Sequence, residues 1–133
     1  MHRSFYCYIV AAATIAIAGI LHLIWVSSII GKAPPAISIF FIVSGLAQAF
    51  WALPMIKRWG RKWYYIGLAG TVILVILYAA TRVPNPLTGG RPAPTNEIGI
   101  SILIFETAYV AITATILVRE KRMKKVSDKE QLR

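Results

Sequence analysis

The stretch Lys57-Arg58-Trp59-Gly60-Arg61-Lys62 sets four cations within six residues, and on either side of it the chain runs apolar and uncharged for about twenty residues. An α-helix rises about 1.5 Å per residue, so a run of about 20 apolar residues is what crosses roughly 30 Å of hydrocarbon. The run before the cluster covers 36–56 and the run after it 63–81. Trp59 and Trp63 stand at the depth where indole rings favour the headgroup region. The cluster therefore marks a membrane boundary.

Further out, the pattern repeats. Residues 5–30 form a long apolar run that contains only His22 as an ionisable group, and residues 98–118 form another that contains only Glu106. The segment 31–35 holds Gly31, Pro34 and Pro35, which stop one helix and start the next in a tight hairpin. The segment 82–97 carries Pro84, Pro86, Gly89, Gly90, Pro92 and Pro94, which forbid regular structure through the longest connection. Arg3 followed by an apolar run and Ala16-Ile17-Ala18 imitates a secretory signal. The run continues to Ile30, however, too long for a signal core and long enough to span.

Composition agrees with this reading. Of 133 residues, 57% are apolar, and the mean hydropathy is +0.63, outside the soluble globular range. The net charge of +10 is not a nucleic-acid footprint, because the cations are confined to a few short segments. Twelve of the fifteen Lys and Arg fall on the N-terminus, the 57–62 cluster and the tail, whereas Lys32, Arg82 and Arg91 occupy the other side. The positive-inside rule then places both termini in the cytoplasm and the proline hairpin and Pro/Gly loop outside. Three or five spans would split the basic blocks across the membrane. One cysteine, Cys7, excludes an intrachain disulfide and serves as a small apolar filler.

The expected fold is all-α, an integral membrane four-helix up-down bundle, comprising residues 1–118 and a basic cytoplasmic tail over 119–133. The tail alternates basic and acidic residues, which predicts a frayed helical extension passing into disorder. Its lysines can hold anionic lipid at about 1 kcal/mol per charge. Lipid provides no water-driven force between helices, so packing relies on small residues. Ala11, Ala12, Ala16 and Gly19 supply them in the first span, Gly67 and Gly70 in the third, and Ala108, Ala111 and Ala114 in the fourth.

An ionisable group in hydrocarbon costs about 2.5 to 3.5 kcal/mol on insertion scales, which makes His22 and Glu106 the main pointers to function. His22 lies eight residues before the outer end of the first span and Glu106 eight residues after the outer start of the fourth. At 1.5 Å per residue, both sit about 12 Å below the outer surface. The reading predicts that they approach each other, with Ser44 at a similar level and Gln48 and Tyr109 extending the network one turn deeper. Such a pair can exchange a proton or cation with the outer loop, or it can fix helix register by mutual satisfaction. Arg82, at the outer end of the third span, either neutralises Glu106 or Glu97 or anchors the helix at the interface.

Specific chemistries have requirements that the chain does not meet by itself. Two axial haem histidines are not available in the membrane, since His2 lies at the face opposite His22. A copper or zinc site needs three or four ligands, and His22, Glu106 and Glu97 fall short without a partner. No serine with a histidine base, glycine-rich phosphate loop or paired catalytic carboxylates appear. The expectation is a non-enzymatic protein without a cofactor, with the lipid bilayer and other membrane subunits or further copies of itself as partners.

Taken together, Leu21-His22, Ser44-Gly45-Leu46-Ala47-Gln48-Ala49-Phe50-Trp51-Ala52, Thr81-Arg82 before the proline-rich loop, Glu97-Ile98-Gly99 and Glu106 resemble a family of small four-helix membrane proteins of unknown function. The resemblance covers about residues 20 to 110 and implies the four-helix fold without lending an activity. Ser101 stands where that pattern leads one to expect an acid after Glu-x-Gly, which weakens a metal site there. In size, span count and basic termini the chain is also similar to the small accessory subunits of the archaeal membrane-bound copper ammonia monooxygenase. That similarity implies a subunit that packs around larger ones and contributes helices and an extracytoplasmic loop without copper ligands of its own. The two functions carried forward are a non-catalytic membrane subunit and a small oligomeric proton, ion or solute transporter using the His22/Glu106 pair.

Overall fold

The computed structural model describes residues 2–84, 86, 90–91 and 95–133, with the side chains of His2 and Arg3 left aside. Gly89, Pro92 and Pro94 of the expected outer loop lie outside the described residues, as does the side chain of His2.

Four helices account for the apolar runs: α1 (His2–Ile29), α2 (Pro35–Ile56), α3 (Arg61–Thr81) and α4 (Glu97–Gln131). All four are long and apolar enough to cross a membrane, and no strand occurs among the described residues. The chain is an all-α membrane protein. Gly31, at φ +78°, takes the left-handed conformation that ends α1, and Pro35 supplies the preset φ at the first position of α2. Pro54 lies inside α2, where it lacks an N–H for the ladder, and the helix stops at Ile56. At the start of α4 the side chain of Asn96 accepts the Gly99 N–H at 2.6 Å, a side-chain N-cap.

The tail departs from the expectation of fraying and disorder, because α4 continues to Gln131. Burial does not hold it, since residues 121–131 are exposed throughout. Propensity and nucleation do. The segment is rich in Lys, Arg, Glu and Gln, contains neither Gly nor Pro, and grows from a preformed transmembrane helix that has already met the nucleation cost.

Helix α1 is the hub of the bundle, packing on α2 along much of its length and on α4 beyond that, while α3 leans mainly on α4 and only lightly on α2. The closest approach is between α1 and α2. A side chain built on Gly19 would stand 2.6 Å from the Gly45 carbonyl oxygen, and one on Gly45 would stand 2.8 Å from the Gly19 carbonyl oxygen. Two glycines face each other backbone to backbone, the geometry by which small residues replace the missing hydrophobic force in lipid. Gly67 makes room for the Trp51 ring and the Tyr109 hydroxyl. Gly70, expected to do the same, faces open space. The apolar core gathers Tyr8, Ala11, Ala12 and Ile15 of α1 with Met55, Tyr64, Tyr109 and Ile116 of the other helices.

One end of the bundle unites the basic segments. Tyr8 of α1 donates to the Glu120 carboxylate of α4, and Arg58 of the α2–α3 turn lies 4.7 Å from the centre of the Tyr8 ring. Both chain ends therefore emerge on the side of the 57–62 turn. Beside them the Trp51 indole donates to the Trp63 carbonyl at 2.9 Å, and the Trp59 and Trp63 rings meet edge to face at 4.9 Å.

Candidate functional site

His22, Gln48 and Glu106 come from three different helices and converge on one point in the half of the bundle away from the basic end. On α1, the His22 Nδ1 lies 2.9 Å from the Ala18 carbonyl oxygen, one turn back. A carbonyl only accepts, so Nδ1 carries a hydrogen and Nε2 is turned toward the interior. Nε2 stands 3.8 Å from Glu106 Oε1. The same carboxyl oxygen accepts the Gln48 amide N–H at 2.6 Å. The three residues are only 4%, 4% and 2% exposed, respectively, so the contacts are buried among the helices. On the outer side of the imidazole, the Phe41 ring packs at 5.7 Å between centroids.

The common depth of His22 and Glu106 thus becomes an actual approach. Gln48 is the bridge from α2 rather than a deeper extension, and its Oε1 is buried with no hydrogen-bond partner. Ser44 is buried one turn before Gln48 on the same face of α2. Tyr109 is fully buried, but its hydroxyl turns to α3 at Gly67 and finds no hydrogen-bond partner, so it packs beside the cluster without joining it. Thr113, one turn further along α4, repeats the pattern, with a buried hydroxyl lacking a partner. Arg82 closes α3 and lays its guanidinium over the Tyr78 ring, 4.1 Å from the centroid. Glu97 is exposed in the first turn of α4, where a carboxylate suits the helix dipole.

Chemically, the cluster is a carboxyl held by an amide donor and faced by an imidazole nitrogen. A carboxylate and an Nε2 lone pair oppose each other, so the stable arrangements place one hydrogen on Glu106 or on Nε2. The arrangement holds a single exchangeable proton at the junction of three helices. No group of three His, Cys, Asp or Glu side chains suited to a metal ion occurs among the described residues.

A second polar cluster, at the basic end, was not anticipated from the sequence. Glu120 accepts from Tyr8, Arg58 covers the Tyr8 ring, Tyr64 packs at 5.8 Å from Tyr8, and Arg119 Nη1 reaches the Cys7 sulfur at 3.7 Å. One signal was present, since Glu120 is the first acid to follow the fourth apolar run and sits among cations.

Comparison of the chain with protein families, with characterised proteins and with solved structures returns no match.

Proposed function

We propose that this chain is a non-catalytic membrane subunit, with both termini cytoplasmic, whose helix faces and outer loop dock on larger membrane partners. The observation that carries this reading is the burial of the His22–Gln48–Glu106 junction. Groups that pass ions or protons stand beside water, whereas groups that fix helix register are buried against one another. Here three side chains from three helices meet at 4% exposure or less, with the Gln48 amide donating to Glu106 and the His22 ring beside it, and the junction ties α1, α2 and α4 in register. The copper monooxygenase complex is the specific assembly suggested by size, span count and basic termini.

Native mass spectrometry of the protein extracted from its own membrane, with metal content recorded on the same sample, tests the proposal. Co-migration with larger subunits at fixed stoichiometry is the expected result, with copper residing in those subunits. A metal-free monomer or homo-oligomer would overturn it.

One observation favours a second reading, that of a proton-coupled transporter. His22 Nε2 and Glu106 Oε1 face each other at 3.8 Å, so that a closing of about 1 Å would bring them within the hydrogen-bond distance at which a proton passes between imidazole and carboxyl. In that reading, Glu106→Gln abolishes flux in liposomes while leaving the bundle assembled. In the subunit reading, the same change produces no flux phenotype and weakens assembly.

A further inference from the structure

We infer that the basic end of the bundle contains a dedicated site for the phosphate of an anionic phospholipid, formed by Arg58 and Arg119. The inference is independent of the subunit reading. Between the start of α1, the α2–α3 turn and the inner stretch of α4 lies a hollow of about 180 Å³, lined by Ser4, Tyr8, Arg58, Arg119, Glu120 and Met123 among others. That is the share of liquid volume taken by about six waters, room for a phosphate and its first substituents.

The charges in the hollow are unbalanced in a specific way. Its one carboxylate, Glu120, accepts from the neutral Tyr8 hydroxyl and not from either guanidinium. Arg58 is engaged by the face of the Tyr8 ring at 4.7 Å, and Arg119 by the Cys7 sulfur at 3.7 Å, a weak acceptor. No carboxylate stands within ion-pair distance of Arg58 or Arg119 among the described residues. Two planar forks of N–H donors thus line one hollow without an ion pair to its single carboxylate, and a fork of that shape matches phosphate two bonds at a time.

The backbone supports the assignment. Arg58 is the one described residue other than glycine at positive φ, +54°, a conformation that costs a side-chain-bearing residue of order 1 kcal/mol or more. The conformation is that of the left-handed residue ending α2, where the Trp59 N–H returns to the Pro54 carbonyl at 3.1 Å, and this turn lays the Arg58 side chain on Tyr8 beside the hollow.

Depth selects the source of the phosphate. The hollow lies where α2 ends at Ile56, α3 begins at Arg61 and the apolar part of α4 gives way to Arg119, beside the Trp59 and Trp63 rings. This is the level of lipid phosphates. Ile116 and Met123 offer an apolar wall for the adjoining methylenes. A zwitterionic headgroup would bring its own ammonium against the two guanidiniums, so the site selects lipids whose headgroup carries net negative charge.

The test uses the full chain in nanodiscs of phosphatidylcholine with one-fifth phosphatidylglycerol, released into the gas phase and scored for retained lipid. The parent chain is expected to keep one phosphatidylglycerol per protein. Arg58→Gln with Arg119→Gln is expected to lower that retention by about tenfold or more, at about 1 kcal/mol per charge removed. Lys124→Gln with Lys125→Gln removes the same charge from the exposed tail and is expected to leave retention unchanged. Arg58→Lys with Arg119→Lys keeps the charge and the fold but not the forks, and should fall between. Equal losses from the arginine and tail pairs would overturn the proposal in favour of diffuse screening. Displacement of the lipid by millimolar inorganic phosphate would overturn the lipid assignment, since it would make the hollow a site for soluble anions.

Discussion

Replacing Gly19 with alanine tests the packing argument at its tightest point. The added Cβ would lie 2.6 Å from the Gly45 carbonyl oxygen and 2.8 Å from the Ala49 amide nitrogen, both backbone atoms that no rotamer change can move. Reaching the 3.4 Å of ordinary contact requires α1 and α2 to part by about 0.8 Å. A radial gap of that size forfeits a quarter to a half of the dispersion energy of the contacts it opens, and overpacking of this kind costs about 1–3 kcal/mol. The loss is felt fully because lipid offers no hydrophobic force to draw the helices back together. It also reaches the polar junction, since Gln48 sits less than one turn from Gly45 and would be drawn off the Glu106 carboxyl. The assay is reversible unfolding in mixed micelles of rising sodium dodecyl sulfate fraction, followed by circular dichroism and tryptophan fluorescence. Gly70→Ala is the matched control, with nothing within 4 Å of its new Cβ, and should be neutral or slightly stabilising. If Gly19→Ala proves as stable as the parent, or if both alanines cost the same, the backbone-to-backbone contact is not what holds α1 to α2.

Three further outcomes are expected. Gln48→Leu removes the donor from a buried carboxyl and should cost about 1–3 kcal/mol in the same assay, whereas Glu106→Gln, which keeps an oxygen for the Gln48 amide, should cost less. Asn96→Ala removes the N-cap of α4 and should lower stability by about 1 kcal/mol, with faster amide exchange confined to the first turn around Gly99. Spin labels placed singly along 119–131 should show low, helix-like mobility throughout; mobility rising steadily from 121 onward would refute the continuous helix.

Legibility followed the physics of each feature. Spans could be read because the thickness of hydrocarbon fixes their length, and the shared depth of His22 and Glu106 could be read because helical rise is constant. What rise does not encode is azimuth. Gln48 joins the network as expected, by donating to the Glu106 carboxyl, whereas Tyr109 was enlisted although its hydroxyl turns away toward α3. Gly19 was legible as a small residue, but its partner Gly45 and the idleness of Gly70 depend on which helix faces which. The tail was misjudged because its alternating charge was taken as a sign of disorder, when continuation from an existing helix suffices. The Tyr8–Glu120 contact joins residues 112 positions apart, a pairing that no local pattern announces.

The unbroken course of α4 has a mechanical meaning. From Glu106, where it is pinned to α1 and α2, to its last residue, Gln131, the helix runs 25 residues, or about 38 Å of rigid rod. Swinging such a lever by about 5° around that pin would carry its tip through about 3 Å. An angular change barely visible at the fulcrum thereby becomes a displacement comparable to half a helical turn at the aqueous tip.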